Sequence, residues 1–149
     1  RPSLYEQMDA HALCDEAALA KESPPLVVIG EPGSGKSALL AAYVQRLRTA
    51  PSAPALVYHF VGRAPRSTDI RDILSRLCGE LAQLYPTLLD AGEISDSFQE
   101  LQALFARWLS VVGEQQQRPL VLVLDALNQV DASWHAHSLA WLPQRLPPR

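Results

Sequence analysis

Several things are scarce in this sequence, and each shortage excludes something. Cysteine occurs twice in 149 residues, at Cys14 and Cys78. Two are too few for a disulfide scaffold, and their separation is not a metal-ligand spacing, so a reduced setting is expected. No apolar run approaches the roughly 20 residues that span a bilayer, and no basic start followed by an apolar stretch marks a secretory leader. Neither sign of charge dominates: 13 Lys+Arg against 16 Asp+Glu leave a formal −3. That balance offers no surface for nucleic acid or an anionic membrane. A cytoplasmic location is the default these shortages leave. Internal repeats and low-complexity tracts are missing as well. The length suits one compact domain, and a start at Arg1 rather than Met suggests a piece of a longer chain.

Glycine is scarce too, with seven in all, yet three of them fall within six residues of "VVIGEPGSGKSALL". Around this stretch the chain alternates apolar strands with amphipathic helices. Residues 3–23 read as a helix, with Ser3 as N-cap and Glu6 three residues on. "PPLVVIG" (24–30) reads as a buried strand. A helix follows from Lys36 to about Thr49, then a strand over 55–62. A clear helix spans 68–85 and ends at Pro86. Another helix covers about 96–112. "LVLVLD" (120–125) reads as a buried parallel strand ending in an acid. A helix is expected over 132–142. Strands alternating with helices indicate an α/β fold with a parallel sheet.

"GEPGSGKS" (30–37) fits G-x-x-x-x-G-K-[S/T]. The order strand, loop, helix is what the motif's mechanism requires. Main-chain N–H groups must curl inward on a phosphate, through conformations closed to residues with a Cβ. The following helix adds its free N–H groups and dipole. Expected nucleotide contacts are Gly30, Glu31, Pro32, Gly33, Ser34, Gly35, Lys36, Ser37 and Ala38. Lys36 would reach the β- and γ-phosphates and Ser37 would ligate Mg²⁺. A phosphate loop also calls for an acid at the end of a buried strand, and Asp125 fills that place as the second metal-holding residue.

With these residues the chain resembles a P-loop NTPase of the STAND class, NACHT-type branch. "VYHFVGRAPRSTDIRDILSRLCGEL", "GEPGSGKSALLA" and "LVLVLDALNQV" are similar to the corresponding stretches of telomerase-associated and nephrocystin-like proteins. The resemblance implies a three-layer α/β/α core over 24–149, with 1–23 as a flanking helix. It also implies ATP, with GTP as the alternative, and Mg²⁺, and a switch domain in a larger signalling or scaffold protein whose partner subunits bind elsewhere.

Two departures qualify the resemblance. The family commonly follows its metal-holding acid with a small residue, an apolar one and a pair of acids. Here Asp125 is followed by Ala126, Leu127, Asn128 and Gln129. An amide can orient water but cannot take its proton. Slow or absent hydrolysis is therefore expected, with Asn128 positioning water and Asp125 beside it. Asp131 could stand in as base or cap the next helix. In the family, a strand with a polar sensor follows "WLPQRLPP" and lies between the phosphate-loop and metal-acid strands. This sequence stops at Arg149, so the sheet is expected to be truncated before that strand and nucleotide binding to be weak or absent; if three strands form, a gap or a non-native pairing of 25–30 with 119–125 is expected. A phosphotransferase, or an interaction module with a non-functional nucleotide site, are the rival readings. Arg63 and Arg66 are read as loop residues, and His135 and His137 as too poorly aligned for a metal. Trp134, Trp141 and His59 are read as packing residues, and Cys78 as inert.

Overall fold

The computed structural model describes residues 3–13, 24–89, 92, 94–115 and 118–143. Helix α1, Leu4–Ala12, begins in the expected capping box: Ser3 Oγ accepts from Glu6 N–H, and the Glu6 carboxylate accepts from Ser3 N–H. The rest of the helix expected over 3–23 lies outside the described residues. Helix α2 runs Lys36–Thr49, and α3 runs Ile70–Leu84 behind Asp69, whose side chain accepts from Arg71 N–H. Helix α4 covers Phe98–Gln115. Strands β1 (Ala55–Phe60) and β2 (Leu120–Asp125) pair in parallel, Ala55 opposite Leu120 through Phe60 opposite Asp125.

Period-two alternation divides the strand side chains between two faces. Ala55 and Val57, with Leu120, Leu122 and Leu124, face a core built on the apolar stripe of α3 (Ile70, Ile73, Leu74, Leu77, Leu81) and on Leu101, Phe105, Trp108 and Val112 of α4. Leu56, Tyr58 and Phe60, with Val121 and Val123, face Leu40, Tyr43, Val44 and Leu47 of α2 and Met8 and Ala12 of α1. Helices therefore cover both faces, giving the three-layer α/β/α arrangement of a P-loop fold around a small parallel sheet. Among the described residues no helix is long and apolar enough to cross a membrane.

Two expected elements are absent. Residues 24–30 form no strand, and Val27 and Ile29 are 71% and 88% exposed. Neither the gap in a three-stranded sheet nor a pairing of this segment with 119–125 is found, because the sheet has two strands, β1 and β2. A strand needs a ladder partner to satisfy its main chain as well as an apolar composition, and this segment has none among the described residues. The helix expected over 132–142 is a 3-10 turn, Ser133–Ser138, interrupted at Trp134 and His135, whose φ values are 56° and 53°. Side chains take up the groups a helix would use. Trp141 Nε1–H donates to Ala136 O at 3.0 Å, Ser138 Oγ accepts from Ala140 N–H, and the His137 ring binds Val130 O.

Candidate functional site

Residues 30–37 form a turn that closes on itself. Ser34 N–H donates to Glu31 O at 3.1 Å. The Lys36 ammonium donates to Gly30 O at 2.6 Å and to Glu31 O at 2.8 Å. Gly33 and Gly35 have φ values of 79° and 86°, in the left-handed region that favours glycine. Gly35 is the N-cap of α2, and no side chain caps that end. By contrast, Ser3 caps α1 and Asp69 caps α3. The first N–H groups of α2 are left without a side-chain acceptor at the end where the helix dipole is positive. Lys36 and Ser37 are half-buried there, while Gly30, Glu31, Pro32, Gly33, Ser34, Gly35 and Ala38 are exposed.

Asp125 is the last residue of β2 and is 6% exposed. Its main-chain oxygen accepts from Val61 N–H at 3.2 Å, so its backbone belongs to the sheet. Its carboxylate makes no ion pair among the described residues, and neither of its oxygens is a sealed atom lacking a partner. One helix links the loop and the acid: α2 begins at Lys36 and packs on Val121 and Val123 of β2.

After Asp125 the chain turns sharply through Ala126 (φ 57°) into a 3-10 turn, Leu127–Gln129. Asn128 is exposed on this turn. Gln129 goes elsewhere: its Oε1 lies 2.6 Å from where a Cβ on Gly62 would sit. Asp131 does not cap a helix. Its N–H donates to Thr68 O at 2.9 Å, and its carboxylate accepts from Thr68 Oγ1 at 3.1 Å. The turn after β2 is thus laced to the loop after β1. Sequence reasoning missed this because the partners are distant in the chain, and the only local signal was Gly62 directly after an apolar run.

Of the two arginines in the loop after β1, Arg63 is exposed and Arg66 is occupied within the fold. Arg66 holds Asp72 with two hydrogen bonds, at 2.8 and 2.9 Å. Arg71 grips Asp69 and holds its carboxyl below the usual carboxylate range. His59 is buried, with Nε2 donating to Ser67 O at 3.0 Å and Nδ1 accepting from Arg76 at 2.6 Å, a satisfied core histidine. Burial pushes the Cys78 thiol up to about 12, as expected of an inert cysteine. Trp141 is buried as expected, whereas Trp134 is half exposed and stacks on Phe98 with ring centroids 5.5 Å apart.

The profile of the AAA ATPase domain matches residues 5–149. NACHT domain- and WD repeat-containing protein 1 of Homo sapiens is 30% identical over 131 residues, 87% of this chain and 8% of its own length. NACHT and WD repeat domain-containing protein 2 of Mus musculus is 36% identical over 130 residues, 83% of this chain and 7% of that protein. Nephrocystin-3 of Homo sapiens is 32% identical over 141 residues, 91% of this chain and 10% of that protein. The chain thus spans a tenth or less of these curated relatives. No solved structure matches it significantly. The glycine turn closing on Lys36, the uncapped start of α2, the strand ending in Asp125 and these matches agree: the chain belongs to the AAA ATPase domain family, as a NACHT-like P-loop NTPase.

Proposed function

We propose that the chain binds a nucleoside triphosphate, ATP in the first instance, together with Mg²⁺, as the phosphate-holding part of a switch domain within a larger signalling or scaffold protein. Residues 24–149 carry the site and residues 1–23 flank it. The observation behind this reading is Asp125, an acid 6% exposed at the end of β2 whose carboxylate makes no ion pair among the described residues. It pairs naturally with a loop whose glycines and uncapped helix start suit an anion. The donor set fits a hard cation, which takes oxygen ligands and keeps much of its water. Ser37 would ligate Mg²⁺ and Asp125 would hold its water shell. Gly33, Gly35 and Lys36 would hold the polyphosphate, with Lys36 giving up the carbonyls of Gly30 and Glu31 to do so. Bound Mg²⁺ supplies charge neutralisation on the phosphate oxygens.

The protein's own residues favour holding over cleaving. Asn128 can orient a water molecule but cannot take its proton. Gln129 is turned against Gly62, and Asp131 is engaged by Thr68. Hydrolysis is therefore slow, and nucleotide state is read as loop order. The test is to titrate a fluorescent ATP analogue into the full-length protein, with and without Mg²⁺. Saturable binding that needs Mg²⁺ and is lost in Lys36→Ala is expected. Binding that ignores the metal, or survives Lys36→Ala unchanged, would refute the reading.

A further inference from the structure

Strand β1 has one paired edge and one open edge. Ala55 N–H donates to Pro119 O, and Val61 N–H donates to Asp125 O. With the register between them, these bonds turn the main-chain groups of the odd-numbered residues toward β2. In a parallel ladder a residue's N–H and C=O lie on the same side. Leu56, Tyr58 and Phe60 therefore present theirs outward, about 7 Å apart at twice the rise per residue. Among the described residues no strand pairs with that edge.

Exposed edges are usually guarded by lysine, proline, a bulge or an inward charge. The strand reads Ala-Leu-Val-Tyr-His-Phe and has none of these. Beside it, α2 and α3 overhang a groove of about 500 Å³ lined by Arg48, Leu56, Tyr58, Glu80, Gln83 and Leu84. Leu84 is 44% exposed there. The groove's charge is not balanced. Glu80 is engaged by Arg76, whereas Arg48 makes no ion pair among the described residues. Arg48 lies near the far end of α2 from Lys36, roughly 18 Å along the helix axis at the usual rise.

We propose that this groove accepts a strand: an extended segment of a partner protein lies along the outer edge of β1. It exchanges main-chain hydrogen bonds with Leu56, Tyr58 and Phe60. Its alternate apolar side chains rest on Leu56, Tyr58 and Leu84, and an acidic residue sits at Arg48. Evenly spaced main-chain donors and acceptors select an extended peptide, and the uncompensated guanidinium selects an acid. The site is independent of the phosphate loop.

A displayed library of random dodecapeptides, selected on the full chain, tests the proposal. Enrichment of alternating apolar sequences carrying Asp or Glu is expected, and no such enrichment sinks it. The selected peptide, fluorescein-labelled, is then followed by anisotropy. N-methylation of alternate amides should weaken binding by about tenfold or more, since main-chain bonds carry the affinity. Tyr58→Pro should do the same without disturbing the β2 ladder, because the N–H it removes faces outward. Arg48→Glu should weaken the acidic peptide about tenfold and favour a lysine-substituted one. Lys36→Ala should leave binding intact. If Tyr58→Pro unfolds by circular dichroism, the N-methylated peptide and Arg48→Glu decide. Equal binding of the N-methylated peptide, or no effect of Arg48→Glu, overturns the proposal. So does sedimentation of the chain alone as a dimer that Tyr58→Pro dissolves, which would make a second copy the occupant.

Discussion

Replacing Gly62 by alanine tests the lacing between the two post-strand loops. Two costs arise. Gly62 has φ 77°, and holding alanine in the left-handed region costs about 1–2 kcal/mol. The new Cβ would also stand 2.6 Å from Gln129 Oε1. That oxygen ends a flexible side chain, so Gln129 gives way by leaving its preferred rotamer, at about 0.5–1.5 kcal/mol. Together the loss is about 2–3 kcal/mol. With a urea slope of about 1–3 kcal/mol per molar, the unfolding midpoint should fall by about 1 M. A double-mutant cycle separates the two costs. In a Gln129→Ala background Gly62→Ala pays only the backbone strain, so the cycle should show a coupling of about 1 kcal/mol. Urea unfolding followed by tryptophan fluorescence reads all four proteins. A coupling indistinguishable from zero would mean that Gln129 does not pack on Gly62, and the account of the post-Asp125 turn would fail with it.

Other expectations are simpler to state. Leu77→Ala should cost about 2–5 kcal/mol in the same urea assay, because Leu77 is 0% exposed at the centre of the α3 stripe. With the Cys78 thiol pushed up to about 12, the folded chain keeps a proton that the unfolded chain releases above about pH 8.5. Stability should therefore fall as pH rises from about 8.5 toward 12, and Cys78→Ser should flatten that decline. Asp69 is shifted the other way by its hydrogen bond to Arg71, so its contribution, present at neutral pH, should fade as pH drops through the carboxylate range and vanish in Asp69→Ala. If Asn128 leaves the site without a base, Asn128→Asp should speed phosphate release from ATP in the full-length protein by about tenfold or more, and adding Lys36→Ala, which removes nucleotide binding, should abolish that gain.

Much of this architecture was legible because its signals are local. The stripe Ile70, Ile73, Leu74, Leu77, Leu81 names a helix and its buried face at once. "LVLVLD" names a covered strand and its end. Ser3 and Glu6 name the start of α1. The positive-φ glycines of 30–37 are likewise written into the chain. What could not be read depended on other segments. "PPLVVIG" has the composition of a strand, but composition does not supply a ladder partner, and Val27 and Ile29 stand in solvent. The 132–142 segment lost its helix to Trp141, Ser138 and His137, whose side chains claim local main-chain groups. The pairs Gly62–Gln129 and Thr68–Asp131 join residues more than sixty apart in the chain, beyond any periodicity.

The sheet is two strands wide, and the clusters on its two sides share no residue. Like a book with unequal covers, the molecule can breathe on one side alone. Lifting α1 and α2 would wet Val121 and Val123, while Phe105 and Leu77 stay dry beneath α3 and α4. Amide exchange should therefore fall into two tiers, the phosphate-loop leaf opening first. That leaf could drift or be tuned over generations while the opposite cover kept the chain folded.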